Sequence, residues 1–422
     1  MAVLVNRAVW LRAFLLGQAG LLLSFSVLAK EGDTFRPFVS MGQFYDSNLF
    51  RLAENESPGT QRDELFRQFN VGMGIDWRLG RQQLTASLAK TLIRYDQNTR
   101  LDFDGDDMQA TWNWRLGNRL SGNLGASQST SQSSFNDLGT ANISAGNNVE
   151  RDRKYGQLNW EFHPRWQVFA GTETSDSLNS AQTQVSQNVS QNSHNVGLSY
   201  RTPKGSSLRA RFQRTNADYA AQQILGVRQI FIFTIVDVAD NSFQQNDYSL
   251  EGDWRLFGKL SLRGQVSKTE RKYANELKDP LGGSAQLVAR PDFSGLTGRL
   301  TGDWSASGKT QFSASIYQEL GTTSDINASS VLTQGASMSG VWLPRAKWRM
   351  NVSAALENRD YRGNPGSTQR NDDTLSTSVS LGYTPMNALS LSLGAQAGWR
   401  DSSDSVENYQ FYGLSFNVRG DF

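Results

Sequence analysis

The most informative stretch for predicting the fold is Tyr248-Ser-Leu-Glu-Gly-Asp-Trp-Arg-Leu-Phe-Gly-Lys259, because its residues alternate between apolar and polar types. Leu250 and Trp254 share one parity, whereas Glu251 and Arg255 share the other. A period of two indicates a β-strand with one apolar face and one polar face. The Phe-Gly-Lys that ends the stretch then predicts a tight turn into a second strand.

Variants of this phrase recur along the chain, and each is followed by a second alternating run, as in a β-hairpin. The variants begin at Asp76, Asn113, Asn159, Ser199, Asp253, Asp303, Val341 and Gly382. Eight hairpins supply sixteen strands, and the alternating residues near Val39 and at 412–422 add two. The sequence therefore predicts an all-β fold, an antiparallel up-and-down β-barrel of about 18 strands. The predicted tight turns are 79–81, 116–118, 163–165, 202–205, 257–259, 305–309, 343–346 and 384–387.

Three features favour a transmembrane barrel over a soluble β-sandwich. The alternating runs have about 10 to 14 residues, whereas strands of soluble domains usually have about five or six. The far ends of the runs are joined by long polar connections such as 131–151 and 218–242, which predicts short periplasmic turns and long extracellular loops. An aromatic residue of apolar parity precedes each turn, as in a membrane-interface belt: Trp77, Trp114, Trp160, Tyr200, Trp254, Trp304, Trp342 and Tyr383.

The first 29 residues resemble a secretory signal peptide. Arg7 and Arg12 supply the positive end, an apolar stretch follows, and Val27-Leu-Ala29 offers small residues for cleavage. After it, the longest clean apolar run, 230–236, is far shorter than the roughly 18 residues that a membrane helix needs. We therefore expect a signal peptide at 1–29 and a barrel at 30–422, located in the outer membrane of a Gram-negative bacterium.

Composition and charge exclude several classes of function. The chain has no cysteine, so disulfides, thiolate metal sites and a cysteine nucleophile are excluded. Without Arg7 and Arg12 the 42 basic residues fall to 40, equal to the 40 acidic ones, so nothing indicates nucleic-acid binding. The mean hydropathy of −0.51 is low for a large buried core but fits a barrel with one polar face.

Few residues could support catalysis or bind a metal. His163 lies in a predicted periplasmic turn, and His194 has the apolar, outward parity, so neither is expected to be catalytic. The cluster Asp102, Asp104, Asp106 and Asp107 could offer oxygens to Ca²⁺, but no suitably spaced glutamate follows, so a solvated loop is the favoured interpretation. We expect no enzyme activity, no cofactor and no metal site.

Charged residues on the polar parity are the candidate functional residues. In a closed barrel they would line the lumen, either as cross-strand ion pairs that hold the wall or as part of a wet passage for a polar solute. They are Asp76, Arg78, Arg115, Glu161, Arg209, Arg211, Glu251, Asp253, Arg255, Arg263, Arg299, Asp303, Glu319, Arg349, Glu357 and Arg359.

Two segments depart from the simple pattern. Residues 230–238 are apolar on both parities inside a predicted external loop, so they are expected to fold inward as a constriction, to meet a partner, or to extend the strands above the membrane. The last run carries Phe416, Val418 and Phe422 on one parity. A terminal aromatic on such a strand resembles the signal that the barrel-assembly machinery recognises in outer-membrane barrels.

The segments Phe35-Arg-Pro-Phe-Val-Ser40 and Tyr45-Asp-Ser-Asn-Leu-Phe-Arg-Leu52 resemble the opening of a known family. These are outer-membrane barrel proteins encoded in bacterial exopolysaccharide biosynthesis operons, the EpsL-like proteins found with exosortase systems. The resemblance implies export of a polysaccharide, with periplasmic export components as partners, besides the outer-membrane lipid and lipopolysaccharide around any such barrel. The alternatives are a general or solute-specific porin and a structural or adhesive barrel.

Overall fold

The computed structural model describes residues 34–53, 61–135, 146–278, 284–322, 328–363 and 369–422, so the expected signal peptide at 1–29 lies outside the described residues. Nearly all regular structure is β. The strands are β1 (Phe35–Asp46), β2 (Glu64–Leu79), β3 (Gln82–Tyr95), β4 (Phe103–Leu116), β5 (Leu120–Gln132), β6 (Asn148–His163), β7 (Trp166–Asn179), β8 (Val189–Arg201), β9 (Ser207–Tyr219), β10 (Gln223–Ile230), β11 (Phe233–Ala239), β12 (Phe243–Phe257), β13 (Leu260–Tyr273), β14 (Ala285–Leu287), β15 (Phe293–Ser307), β16 (Thr310–Gly321), β17 (Ser330–Trp342), β18 (Trp348–Arg362), β19 (Asn371–Met386), β20 (Leu389–Ser402) and β21 (Tyr409–Asp421).

All strands except β10, β11 and β14 form one sheet of 18 antiparallel strands. Strands adjacent in sequence pair with each other, and β9 pairs with β12 and β13 with β15 across the two inserted connections. The first strand pairs with the last, Met41 opposite Val418, so the sheet closes on itself. The predicted 18-stranded antiparallel barrel is confirmed.

The eight predicted tight turns are also confirmed. They join β2 to β3, β4 to β5, β6 to β7, β8 to β9, β12 to β13, β15 to β16, β17 to β18 and β19 to β20. The connection of β2 to β3 is two residues long, and Gly80 within it has φ +60°, a left-handed conformation that glycine adopts without steric cost. All eight turns lie at one end of the barrel, because every strand pair is antiparallel, and the long connections lie at the other.

The outer face of the barrel is apolar and exposed. On β12 the outward residues run from Tyr248 to Leu256, eight steps that span about 27 Å of strand at ~3.4 Å per residue. A strand tilt of about 40° turns this into an apolar band about 20 Å tall, near the height found in outer-membrane barrels. Trp77 and Trp304, both about half exposed, mark its edge beside the tight turns. The predicted aromatic belt is therefore present on this surface.

Helical structure is minor. Among the described residues, three short 3₁₀ helices lie in the long connections: Thr99–Leu101, Gln182–Gln187 and Ser405–Glu407. In the described ranges, no helix has the length and apolar character required to cross a membrane.

The apolar segment 230–238 forms most of a hairpin outside the barrel sheet. Strands β10 and β11 pair with each other, and β11 also pairs in parallel with β14. The tip residues Phe231 and Ile232 are 94% and 86% exposed. The three expectations for this segment, an inward constriction, contact with a partner and extension of the strands above the membrane, stay predictions.

We expect the terminal strand to be required for assembly, because β21 pairs with β20 on one side and with β1 on the other and so closes the barrel. The backbone N–H of Phe422 donates to the carbonyl oxygen of Pro37 over 2.8 Å. Deleting Phe422 should lower the amount of heat-modifiable barrel in outer-membrane fractions. The control is Phe35→Ala, which removes an exposed aromatic ring from β1. Equal barrel levels in both variants would contradict this role.

Candidate functional site: the inner face and the mouth

Strand register determines which side chains share the inner face. Side chains paired across neighbouring strands point to the same face. Leu250 pairs with Ala210 and Val266 on the exposed apolar face, whereas Glu251 pairs with Arg209 and Gln265 on the opposite face. Since the barrel is closed, that opposite face encloses the lumen.

All sixteen charged residues singled out from the sequence lie on this inner face, and most of them pair with one another. The pairs are Asp76–Arg78 (3.2 Å), Arg115–Glu161 (4.0 Å), Arg209–Glu251 (3.5 Å), Arg211–Glu251 (2.9 Å), Arg263–Asp303 (2.7 Å), Arg299–Glu319 (2.9 Å) and Glu357–Arg359 (2.8 Å). Arg349 instead donates to the Asn351 side chain over 3.0 Å. Asp253 and Arg255 make no ion pair within the described ranges.

On one side of the inner wall, formed by β9, β12, β13 and β15, arginines outnumber acidic residues. Arg209 and Arg211 share the single carboxylate of Glu251. A cavity of about 410 Å³ opens on this wall between Arg209, Arg263 and Arg299. The guanidinium of Arg209 also lies 4.9 Å from the ring centre of Phe169 on β7. This side of the lumen therefore presents a surface suited to anionic or polar solutes.

The inner face changes character at the long-loop end, where the polar parity becomes aromatic. We call these residues the inner aromatic layer; each lies within a few residues of the end of its strand. They are Phe44, Phe66, Tyr95, Phe103, Tyr219, Phe243, Tyr273, Phe293, Tyr361 and Phe411. This layer was not predicted from the sequence, although aromatic residues on the polar parity were the available signal.

Residues 46–53, which carry most of the second resembling segment, fold onto this layer. Asp46 accepts hydrogen bonds from the backbone of Asn48 (2.8 Å) and from the Arg51 guanidinium (2.8 and 2.9 Å). The Asn48 side chain in turn bonds the backbone N–H and carbonyl of Leu52. Arg51 lies 3.7 Å from the ring centre of Phe411.

The buried side chains of this turn add an apolar contact with the wall. Leu49, Phe50 and Leu52 cluster with Tyr95 and Leu101. Phe66 and Phe135 pack at the edge of that cluster. The segment is therefore a hydrogen-bonded turn that packs on the inner wall at the mouth.

A second set of connections meets on the other side of the mouth. Arg290 is 2% exposed and donates to the side chain of Gln223 and to the carbonyl of Gly363, which link three different connections. The hydroxyl of Tyr273 donates to the carbonyl of Ser329 over 3.3 Å. The Tyr273 bond holds loop backbone against the inner aromatic layer, and the Arg290 bonds tie the connections above it to one another.

A buried network of charges fastens the connection before β19. Asp372 is fully buried and accepts from Arg370 (2.6 Å) and from the Ser402 hydroxyl (2.6 Å), and Arg400 approaches it at 3.5 Å. Glu407 completes the network at 3.3 Å from Arg370. Burial disfavours the charged form of Arg370, but the hydrogen bond to Asp372 and the electrostatic effects of Tyr361, Glu407 and Asp372 together outweigh it, so the pKa of Arg370 is raised.

The remaining candidates do not form a chemical site. His194 faces outward and bonds the Thr172 hydroxyl over 3.0 Å, and His163 accepts from the Arg165 backbone in a tight turn. Asp104 and Asp106 pair with outward cations, Arg94 and Lys90 respectively. Within the described part of the chain no three His, Asp or Glu side chains are grouped to hold a metal ion.

Comparisons with known proteins find similarity only at the level of structure. No protein-family model matches the chain, and no curated protein matches it in sequence. Solved structures similar to it include Pseudomonas aeruginosa OccK2 (OpdF) in complex with glucuronate (12% identity, TM-score 0.48, 92% of this chain and 98% of that one). Others are the outer membrane protein OpdK of P. aeruginosa (10%, 0.47, 92% and 99%) and OccAB3 of Acinetobacter baumannii (11%, 0.47, 92% and 99%).

Location follows from the barrel itself. Every strand of the sheet pairs with a neighbour on both sides around a closed circle, and the outward side chains form an apolar band with an aromatic edge. Closed barrels of this kind satisfy all their hydrogen bonds within the lipid, which open sheets cannot do. The protein is therefore a multi-pass β-barrel of the outer membrane.

Proposed function

We propose that this protein is a porin-like channel through which small polar solutes cross the outer membrane. The observation that carries the proposal is the inner face, where charged side chains form ion pairs within and between strands while the apolar residues face outward. A barrel of about 18 strands is wide enough to leave an aqueous lumen. Such a lining offers hydrogen-bonding partners to a solute that has lost part of its water.

The mouth favours a small solute over a polymer. Residues 46–53 pack on one side of the inner aromatic layer, and the connections tied together by Arg290 pack on the other. Each of these contacts takes space from the opening that 18 strands would otherwise leave. The arginine excess around Arg209 and Arg263 makes an anionic or strongly polar solute the better match.

Conductance in planar bilayers tests this function. The purified barrel should insert in discrete steps of ohmic current. Small polyethylene glycols added to both sides should enter the lumen and lower the conductance, and larger ones should be excluded. A barrel that inserts but carries no current would overturn the channel and favour a structural or adhesive role.

Export of a polysaccharide is the second candidate, favoured by the resemblance at Phe35–Ser40 and Tyr45–Leu52. Loss of the protein should then abolish extracellular polymer while synthesis of its sugar-nucleotide precursors continues. A deletion strain that secretes normal amounts of polymer, together with a barrel that conducts, would leave the porin-like function alone.

A further inference from the structure

Three cations lie on the outer surface just beyond the apolar band, on the long-loop side. Arg214 on β9 is two residues beyond the outward Phe212, and Lys268 on β13 is two residues beyond the outward Val266. Lys272 is four residues further along β13, and all three side chains are exposed. Arg214 and Lys268 are two strands apart, about 10 Å across the sheet. We call these three residues the outward basic patch.

The patch differs from the outward cations of β2 and β3, which have carboxylate partners. On β2 and β3, Arg67 pairs with Asp96 at 2.9 Å, Lys90 with Asp106 at 3.1 Å, and Arg94 with Asp104 at 2.6 Å. These ion pairs neutralise that sector of the surface.

In the patch no cation is neutralised by a carboxylate within the part of the chain that is described. Lys268 donates to the hydroxyl of Ser294 over 2.7 Å. Arg214 is flanked in register by the neutral side chains of His194 and Asn246. Two acidic side chains lie nearby: Glu270, between the two lysines on the same strand, and Asp292, whose carboxylate accepts from the backbone N–H of Tyr273 over 3.0 Å. Three cations against these two carboxylates leave the patch with a net positive charge.

We propose that the outward basic patch binds the phosphate groups of a phosphorylated lipid in the outer leaflet. A guanidinium can hold two phosphate oxygens at once, and the two ammonium groups act as additional point charges. The acyl chains of the same lipid would lie on the apolar residues directly below, including Phe212, Tyr248 and Val266.

The proposal rests on the outer-membrane location and not on the channel function. Failure of lipid binding would therefore leave the channel function untouched, and the reverse is also true. The patch variant is Arg214→Gln with Lys268→Gln and Lys272→Gln. The matched control, Arg67→Gln with Lys90→Gln and Arg94→Gln, also removes three outward cations, but these are ion-paired. Heat-modifiability of both variants confirms that the barrel has formed before binding is measured.

Binding of purified lipopolysaccharide to the detergent-solubilised barrel is then compared with binding of the same lipid after removal of its phosphates. The patch variant should bind the phosphorylated lipid about a hundredfold more weakly than the unaltered barrel, since each lost cation contributes about a fivefold change near an anionic surface. The control should stay within about twofold. Added salt should weaken binding to the unaltered barrel.

Four results would overturn the proposal. These are equal affinity of the patch variant and the unaltered barrel, equal losses in the two variants, unchanged binding of the dephosphorylated lipid, and inorganic phosphate that binds as tightly as the lipid. The last would show a site for free phosphate instead of a lipid headgroup.

Discussion

Replacing Arg209, Arg211 and Arg263 together by glutamate is expected to make the channel selective for cations. The three changes alter the charge of one side of the lumen by six units, where Glu251 and Asp303 already supply negative charge. The field of a narrow charged passage concentrates the counter-ion, so the permeability ratio of K⁺ to Cl⁻ should rise by roughly tenfold. The reversal potential in a salt gradient across a planar bilayer measures it.

A glutamine series separates charge from structure. Arg209→Gln with Arg211→Gln and Arg263→Gln breaks the same ion pairs but changes the charge by only three units. It should shift the reversal potential in the same direction by about half as much. A reversal potential that stays unchanged in both variants would show that these side chains do not line the conducting path. An all-or-none effect of a single substitution would instead suggest an enzyme.

Removing the charge of Asp372 is expected to destabilise the barrel strongly. In Asp372→Asn the buried guanidiniums of Arg370 and Arg400 lose this carboxylate, whereas Glu407, whose side chain is 20% exposed, stays in place. Breaking a buried ion pair by removing one partner costs about 3–5 kcal/mol. The midpoint of unfolding in urea, measured on the barrel in lipid or detergent, should fall accordingly.

A surface pair on the neighbouring strand provides the control for Asp372. Asp360 pairs with Arg362 at 2.7 Å, but the arginine side chain is 39% exposed, so Asp360→Asn should cost no more than about 1 kcal/mol. Similar losses in the two variants would show that burial of the Asp372 network does not set its contribution. Because the network holds the connections around β19 and β20, Asp372→Asn should also increase current noise in bilayers.

The resembling segment at Tyr45–Leu52 has a structural explanation. Its Asp, Asn and Arg are the residues that hold the turn together through hydrogen bonds, and its leucines and phenylalanine pack on the inner aromatic layer. The motif therefore specifies an inward turn at the mouth of the barrel. The motif therefore does not identify the solute, because any barrel with an inward turn of this kind requires the same residues.

Alternation within the sequence determined the strands, the eight tight turns and the outward aromatic belt, because each of these depends on residues close together in the chain. Closure of the sheet agrees with the even number of strands but is made by the pairing of β1 with β21, far apart in the chain. The phrase at Asp253–Lys259 and its variants also placed the sixteen charged residues on one face, since a period of two assigns faces without knowledge of the neighbours.

Which of those charged residues form ion pairs depends on the tertiary structure. Arg263 faces Asp303 because β13 and β15 pair in one particular register across a connection of about twenty residues, and no local pattern fixes that register. Contacts between distant segments determine three further features in the same way. These are the inward turn at 46–53, the buried Asp372 network and the neutral neighbours of Arg214. The alternating pattern determines the wall of this barrel. The mouth is formed by the long connections, which have no periodic pattern and are held in place by long-range packing.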